Sequence, residues 1–180
     1  MKPVVVTLLC ALVAFTPAVA QQAPVPRPEQ VATPEAIITA MYESVKRAPG
    51  EQYDWDLLRG LCLPGALLVP STEQTGGALR TMTVDDFIAW IDQGTTVGGP
   101  NDQGFAEEEI AHRIERYGDI AQVFSTYQKH VHGSTEILGR GINSVNLVHN
   151  GGRWWIASII WDEEVGAGPI PRRYLPGGGS

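Results

Sequence analysis

Cysteine is nearly absent. The 180 residues hold two, Cys10 and Cys62, and Cys10 lies in an apolar N-terminal run that reads as a discarded leader. No intramolecular disulfide is then available, even in an oxidising compartment. A basic stripe is missing as well: 13 lysines and arginines stand against 20 acidic residues, a net charge of −7. Without a cationic face, nucleic acid is not an expected partner. Nor is there a long hydrophobic run, because the apolar stretch from Val4 to Phe15 falls short of the roughly 20 residues of a membrane-spanning helix and Pro17 follows it. The sequence offers no phosphate-cradling glycine motif and no serine nucleophile elbow. His130 and His132 alternate onto one side of a strand, a spacing suited to a metal, but no third ligand accompanies them. No metal and no cofactor is expected.

What stands at the N-terminus is Met1-Lys2, the apolar run, and Ala18-Val19-Ala20 before Gln21, the pattern of a signal peptide over residues 1–20 cleaved after Ala20. Leu9 occupies the position where a lipoprotein site wants a small residue, so Cys10 is expected to leave with the leader. The chain is therefore expected to be exported, periplasmic or secreted, with no membrane attachment after cleavage. Removing Lys2 leaves 12 basic residues against 20 acidic ones, a charge of −8. Residues 21–32, QQAPVPRPEQVA, are proline-rich and polar and read as an extended leader. A single domain over 33–164 and a C-terminal tail over 165–180 complete the division.

Thr33-Pro34-Glu35 is a strong helix start, with a hydroxyl cap, proline in the first turn and an acid beside it. Ile37, Ile38, Met41, Tyr42 and Val45 follow at helical spacing until Pro49-Gly50. A second, short helix is expected from Asp56, as its cap, through Leu57, Leu58, Leu61 and Cys62, with Pro64-Gly65 as its stop and a short buried strand from Ala66 to Val69. A third opens at Thr83, with Asp86 completing a capping box, and carries Phe87, Ile88, Trp90 and Ile91. Residues 94–104, GTTVGGPNDQG, have the composition of a mobile loop. The period then changes to two, predicting strands over about 105–117, 119–132, 137–149 and 153–162. Three helices followed by an antiparallel meander is an α+β architecture.

A Gly118-Asp119 turn would place Tyr117 opposite Ile120, Ile114 opposite Val123, His112 opposite Ser125 and Ile110 opposite Tyr127. These share an inner face, while Glu109, Arg113 and Glu115 fall with Gln122, Phe124 and Thr126 on a wetter one. An Asn150-Gly151 turn would pair Leu147 with Trp154 and Val145 with Ile156. On the other side of the last strand, Trp155, Ala157, Ile159 and Trp161 then make a second apolar row. Such a row needs a cover, and a second copy of the sheet, giving a homodimer, is the economical one. The tail, with Ile170, Tyr174 and Leu175, is the competing cover.

The helix ATPEAIITAMYESV, the segment YDWDLLRGLCLPGALLVP, the strands AEEEIAHRIERYGDIAQVFSTYQ and the closing GINSVNLVHNGGRWWIASIIWDEE together resemble the nuclear transport factor two-like superfamily. That superfamily, with its cystatin-like fold, includes ketosteroid isomerases, scytalone dehydratase and the SnoaL-like polyketide cyclases, and the likeness is to a bacterial exported branch. The resemblance implies a cone-shaped, curved antiparallel sheet wrapped around the N-terminal helix with two shorter helices, a pocket at the open end and frequent dimers. The isomerases carry their carboxylate base on the first short strand after the second helix. Here that strand reads GALLVPSTEQ, with no acid near Pro70-Ser71 and Glu73 displaced, which argues against steroid-isomerase chemistry.

On the expected inner face, His112 between Ile110 and Ile114 is a candidate general base or acid beside Tyr127, or else a core histidine satisfied by Ser125 or a water. Tyr42 either points its hydroxyl into the same cavity or belongs to its helix's apolar stripe. Trp55 is expected as a pocket wall. One of Asn143 and Ser144 must face inward. Cys62 reads as buried filler. Two functions remain open: an exported protein binding a small apolar molecule, or a cofactor-free lyase, isomerase or cyclase acting on a small hydrophobic carbonyl compound through His112 and Tyr127.

Overall fold

The structure, a computed structural model, describes residues 26–93 and 103–178. The leader expected at residues 1–20 and most of the glycine-rich loop lie outside them. Helix α1 (Pro34–Ser44) begins as its sequence predicts: the Thr33 hydroxyl accepts from the Ala36 amide and Pro34 fills the first turn. Its stripe of Ile37, Ile38, Met41 and Tyr42 is buried. Helix α2 (Trp55–Leu61) is capped two residues earlier than expected, because the Asp54 carboxylate, not Asp56, accepts from the Leu57 amide. Asp56 instead pairs with Arg59 at 3.2 Å on the surface. Helix α3 (Val84–Asp92) has the complete Thr83/Asp86 capping box.

Five strands form one sheet in the order β1 (Cys62–Pro70), β5 (Arg153–Glu163), β4 (Gly139–Asn150), β3 (Ile120–His130), β2 (Ala106–Tyr117). Pro64-Gly65 does not separate helix from strand. It sits in an irregularity of β1, which begins at Cys62 and runs parallel to β5. The other neighbours are antiparallel. Helices and sheet share one core, with Leu58, Leu61, Val123, Val145, Trp154 and Ile156 all almost fully buried. Residues 28–31, within the segment expected to be extended, form a one-turn 3-10 helix whose Gln30 and Val31 are buried. Packed structure therefore begins before Thr33.

Two bulges shift which side chains face this core. In the first hairpin the register holds from Tyr117–Ile120 through His112–Ser125, but the partner of Tyr127 is Glu109 rather than Ile110. The extra residue reverses the alternation, so Glu107 and Glu109 face inward, contrary to the wet-face placement of Glu109. In the last hairpin the turn is Gly151-Gly152, both at positive φ (63° and 79°), as a two-residue turn of this hand requires. Leu147 then opposes Ile156, and a second shift between Asn146 and Leu147 sets Val145 against Ile159. Ile159 is buried and Trp161 packs on the core. The expected outer row of Trp155, Ile159 and Trp161 therefore does not exist. Trp155 alone of the three lies outside, with the Arg153 guanidinium 3.7 Å from its ring centre.

Candidate functional site

Between the inner face of the sheet and the helices lies a cavity of about 330 Å³, at the small end of the ~300–1,000 Å³ common for small-molecule sites. Its apolar part is built of Met41 and Val45 from α1, Leu58 from α2, Leu68 from β1, Ile159 from β5, and a set of aromatic rings. Phe87 of α3 stands perpendicular to Trp55 (84°, centres 6.2 Å apart) and to Trp161 (85°, 5.8 Å). The two indoles are held by their edges: Trp55 Nε1 donates to Asp92 at 3.2 Å and Trp161 Nε1 donates to Gln74 at 2.8 Å. That leaves ring faces, rather than N–H groups, as the tryptophans' main contribution.

The polar end holds Glu107, Tyr127, Lys129, Asn143 and Glu163. Lys129 Nζ donates to both carboxylate oxygens of Glu163, at 2.6 and 2.5 Å, and Tyr127 OH donates to the same carboxylate at 3.2 Å. Both members of the pair are largely buried, with 8% and 13% of their side-chain surfaces exposed. Two glycines of β4 make the arrangement fit. A Cβ on Gly139 would lie 2.7 Å from Lys129 Cε, and one on Gly141 would lie 2.5 Å from Tyr127 Oη and from the Asp162 carbonyl oxygen. Glu107, opposite Lys129 in the β2–β3 ladder, has its pKa pushed up to about 7. Burial is the main cause; the Lys129 charge opposes it, the Glu163 charge adds to it, and a hydrogen bond from Asn143 opposes it. Burial chiefly, and the nearby carboxylates, also raise Tyr127 well above a free phenol.

Behind this wall runs a hydrogen-bonded chain. Asn143 Nδ2 donates to Tyr42 OH (3.1 Å), Tyr42 OH and Ser125 Oγ are 2.7 Å apart, and Ser125 Oγ donates to Glu109 Oε1 (2.6 Å). His112 Nδ1 meets Glu109 Oε2 at 3.0 Å. Because the Ser125 hydroxyl donates to Glu109, Tyr42 must donate to Ser125 and accept from Asn143. Tyr42, deep in this chain, also has its pKa raised, chiefly by burial.

Of the candidates read from sequence, Tyr127, Trp55 and Asn143 line the cavity, while Tyr42 and Ser125 sit behind it. Ser144 faces outward, accepting from Gln122 at 3.2 Å. His112 is a correction. It stands opposite Ser125 as expected, but its side chain is 38% exposed on edge strand β2 and does not line the cavity. Cys62 is buried, and burial pushes its thiol up to about 12, the state of an inert filler. Among the described residues no cluster of histidine, cysteine and carboxylates is arranged to hold a metal. Sequence reasoning missed Glu107, Lys129 and Glu163. Two signals were present: three successive glutamates at 107–109 must turn at least one acid inward, and glycines two apart at 139 and 141 mark a strand face kept clear for something large.

The sequence matches no protein-family model and no curated protein. Among solved structures it is similar to a protein of unknown function with a cystatin-like fold from Nostoc punctiforme PCC 73102, at 12% identity over 74% of this chain and 94% of that one, with a TM-score of 0.53. It is similar also to LinA, at 7% identity over 70% and 80% of the two chains, TM-score 0.51. A further likeness is to an NTF-2-like protein of unknown function from Silicibacter pomeroyi DSS-3, 19% identical over 72% and 91%, TM-score 0.46. The likeness at a TM-score of 0.53 shows the fold, a cystatin-like one. Identities this low speak to fold and leave function to the site itself.

Proposed function

We propose that this chain is an exported binding protein for a small, largely apolar molecule, which places its body among Trp55, Phe87 and Trp161 and a polar group at the end formed by Glu107, Lys129 and Asn143. The cavity itself carries the reading: aromatic walls with a few convergent polar groups at one end are the usual make-up of a small-molecule site. Export rests on the N-terminal leader, and N-terminal sequencing of protein from a secreting host should find Gln21 first. Binding is tested by titrating N-phenyl-1-naphthylamine, a neutral dye that brightens in apolar surroundings. Wild type should saturate with one dye per chain, while Ile91→Trp, which fills the cavity, should not. Equal dye binding by both, or by neither while both melt cooperatively, would remove the pocket as a binding site.

A second reading, a cofactor-free isomerase or lyase acting on a carbonyl compound, is favoured by one observation. A carboxyl group with a pKa near 7 at the end of an apolar cavity is poised to take and return a proton at neutral pH. Glu107, rather than His112, would hold that proton. Exchange of the α-hydrogens of bound 3-phenylpropanal in deuterated buffer, above the rate with Glu107→Gln, is the result this reading requires.

A further inference from the structure

The cavity's charges are unbalanced. Its lining includes three carboxylates, Glu73, Glu107 and Glu163, and one cation, Lys129. Lys129 is already committed to both oxygens of Glu163, so Glu107 shares that cation without a contact of its own to it. A half-buried carboxylate in this position either takes up a proton or awaits an external positive charge. Beside it stand ring faces, not ring N–H groups, and a ring face carries the negative end of the aromatic quadrupole. The perpendicular setting of Phe87 against Trp55 and Trp161 gives three walls of a box.

Resting on the reading of this cavity as a small-molecule site, we propose that it is selective for organic cations: an amine with an apolar or aromatic body, its ammonium against Glu107 and its body against Trp55, Phe87 and Trp161. With Glu73 exposed to solvent, the four charges at the polar end, from Glu107, Lys129, Glu163 and the ligand, then sum to zero in a place where an odd one is costly. An anion would face Glu107 and Glu163 together, and a neutral isostere would leave Glu107 to its proton.

Selectivity should depend on pH, because Glu107 titrates near neutrality. The groups bearing on it are Lys129 and Tyr127 of β3, Glu163 of β5, Asn143 of β4, Tyr42 of α1, and Tyr53, over whose ring the Arg47 guanidinium lies at 5.1 Å. Above pH 7 the carboxylate is ionised and attracts the ammonium. Below it, binding must drive a proton off, so the amine loses its advantage.

Three soluble probes share one body and differ only in charge: 3-phenylpropylamine, 3-phenylpropan-1-ol and 3-phenylpropionate. Calorimetric titration at pH 8 should show the amine binding at least about tenfold tighter than the alcohol, with the carboxylate weakest. At pH 6 that ratio should shrink, with proton release visible as a dependence of the heat on the buffer. Glu107→Gln should abolish both the preference for the amine over the alcohol and its pH dependence. An alcohol that equals the amine at pH 8, or a carboxylate that leads, overturns the proposal but leaves the pocket standing. So does binding of the naphthylamine dye by a protein that takes none of the three. If Glu107→Gln fails to fold, the wild-type profile decides, and an amine-to-alcohol ratio constant from pH 6 to 8 overturns it. Failure of all three probes and of the dye removes the small-molecule site itself.

Discussion

Glu107 makes the stability of this fold depend on pH. Its pKa is raised from an ordinary 4.5 to about 7, so the folded state holds a proton that the unfolded chain has already released. The stability this contributes is fully present below pH 4.5 and is lost as pH rises to 7. In urea melts, the gap between Glu107→Gln and wild type should move in the variant's favour between pH 5 and pH 8 by roughly 1–3 kcal/mol. A gap that stays constant would mean Glu107 ionises as freely as a surface acid. Tyr42→Phe removes the hydroxyl at the centre of the chain from Asn143 to Glu109 and leaves buried partners unsatisfied, which should cost about 1–3 kcal/mol. His112→Ala, at the exposed end of that chain, should change the melt by less than about 1 kcal/mol. It should also leave binding of the naphthylamine dye unchanged, and a loss of dye binding would return His112 to the site.

The elements themselves were largely legible. Thr33-Pro34 and the Thr83/Asp86 box fixed two helix starts because capping is local chemistry, and Gly118-Asp119 fixed the first turn for the same reason. The bulges were not legible. A bulge is set by how the strand meets its neighbours, and nothing in AEEEIAHRIE distinguishes an extra residue at Ile110 from strict alternation. The residues of β2 on the far side of it therefore lie on the face opposite to strict alternation, which is why Glu107 and Glu109 were missed, while Tyr127, on the unbulged partner strand, was placed correctly and the choice between Asn143 and Ser144 stayed open. The same error put Ile159 and Trp161 outside. Gly141 gives this level its test: Gly141→Ala sets a methyl against Tyr127 and the β5 backbone, an overpacking expected to cost about 1–3 kcal/mol. It should also part Tyr127 from Glu163, visible as a fall of the Tyr127 pKa toward an ordinary phenol in an ultraviolet titration. An unchanged melt would show that β4 has room to spare.

For the whole molecule, the outer face of the sheet is the open ground. The tail takes part of it: Ile170 is buried, the Tyr174 ring lies 5.2 Å from that of Phe124, and Thr126 Oγ donates to the Tyr174 carbonyl oxygen at 2.7 Å. Ending the chain at Glu164 should therefore lower stability by roughly 1.5–3 kcal/mol, about the worth of one large buried side chain. The homodimer expected from the closing strand is left with a smaller contact than a row of tryptophans, centred on Leu67 and Ile160, each 47% exposed. Light scattering over a dilution series should then find a weak, concentration-dependent dimer that Ile160→Lys abolishes. A full-length monomer at every concentration would end the dimer proposal.

The bulge at Ile110 behaves like a shift of reading frame within a strand. Deleting that one residue would restore strict alternation and, in one step, move Glu107 and Glu109 to the outer face of the sheet and Glu108 to the inner one, with no residue outside position 110 altered. New chemistry on this scaffold is therefore reachable by a single-codon insertion or deletion, a route that comparison by substitution alone would not see.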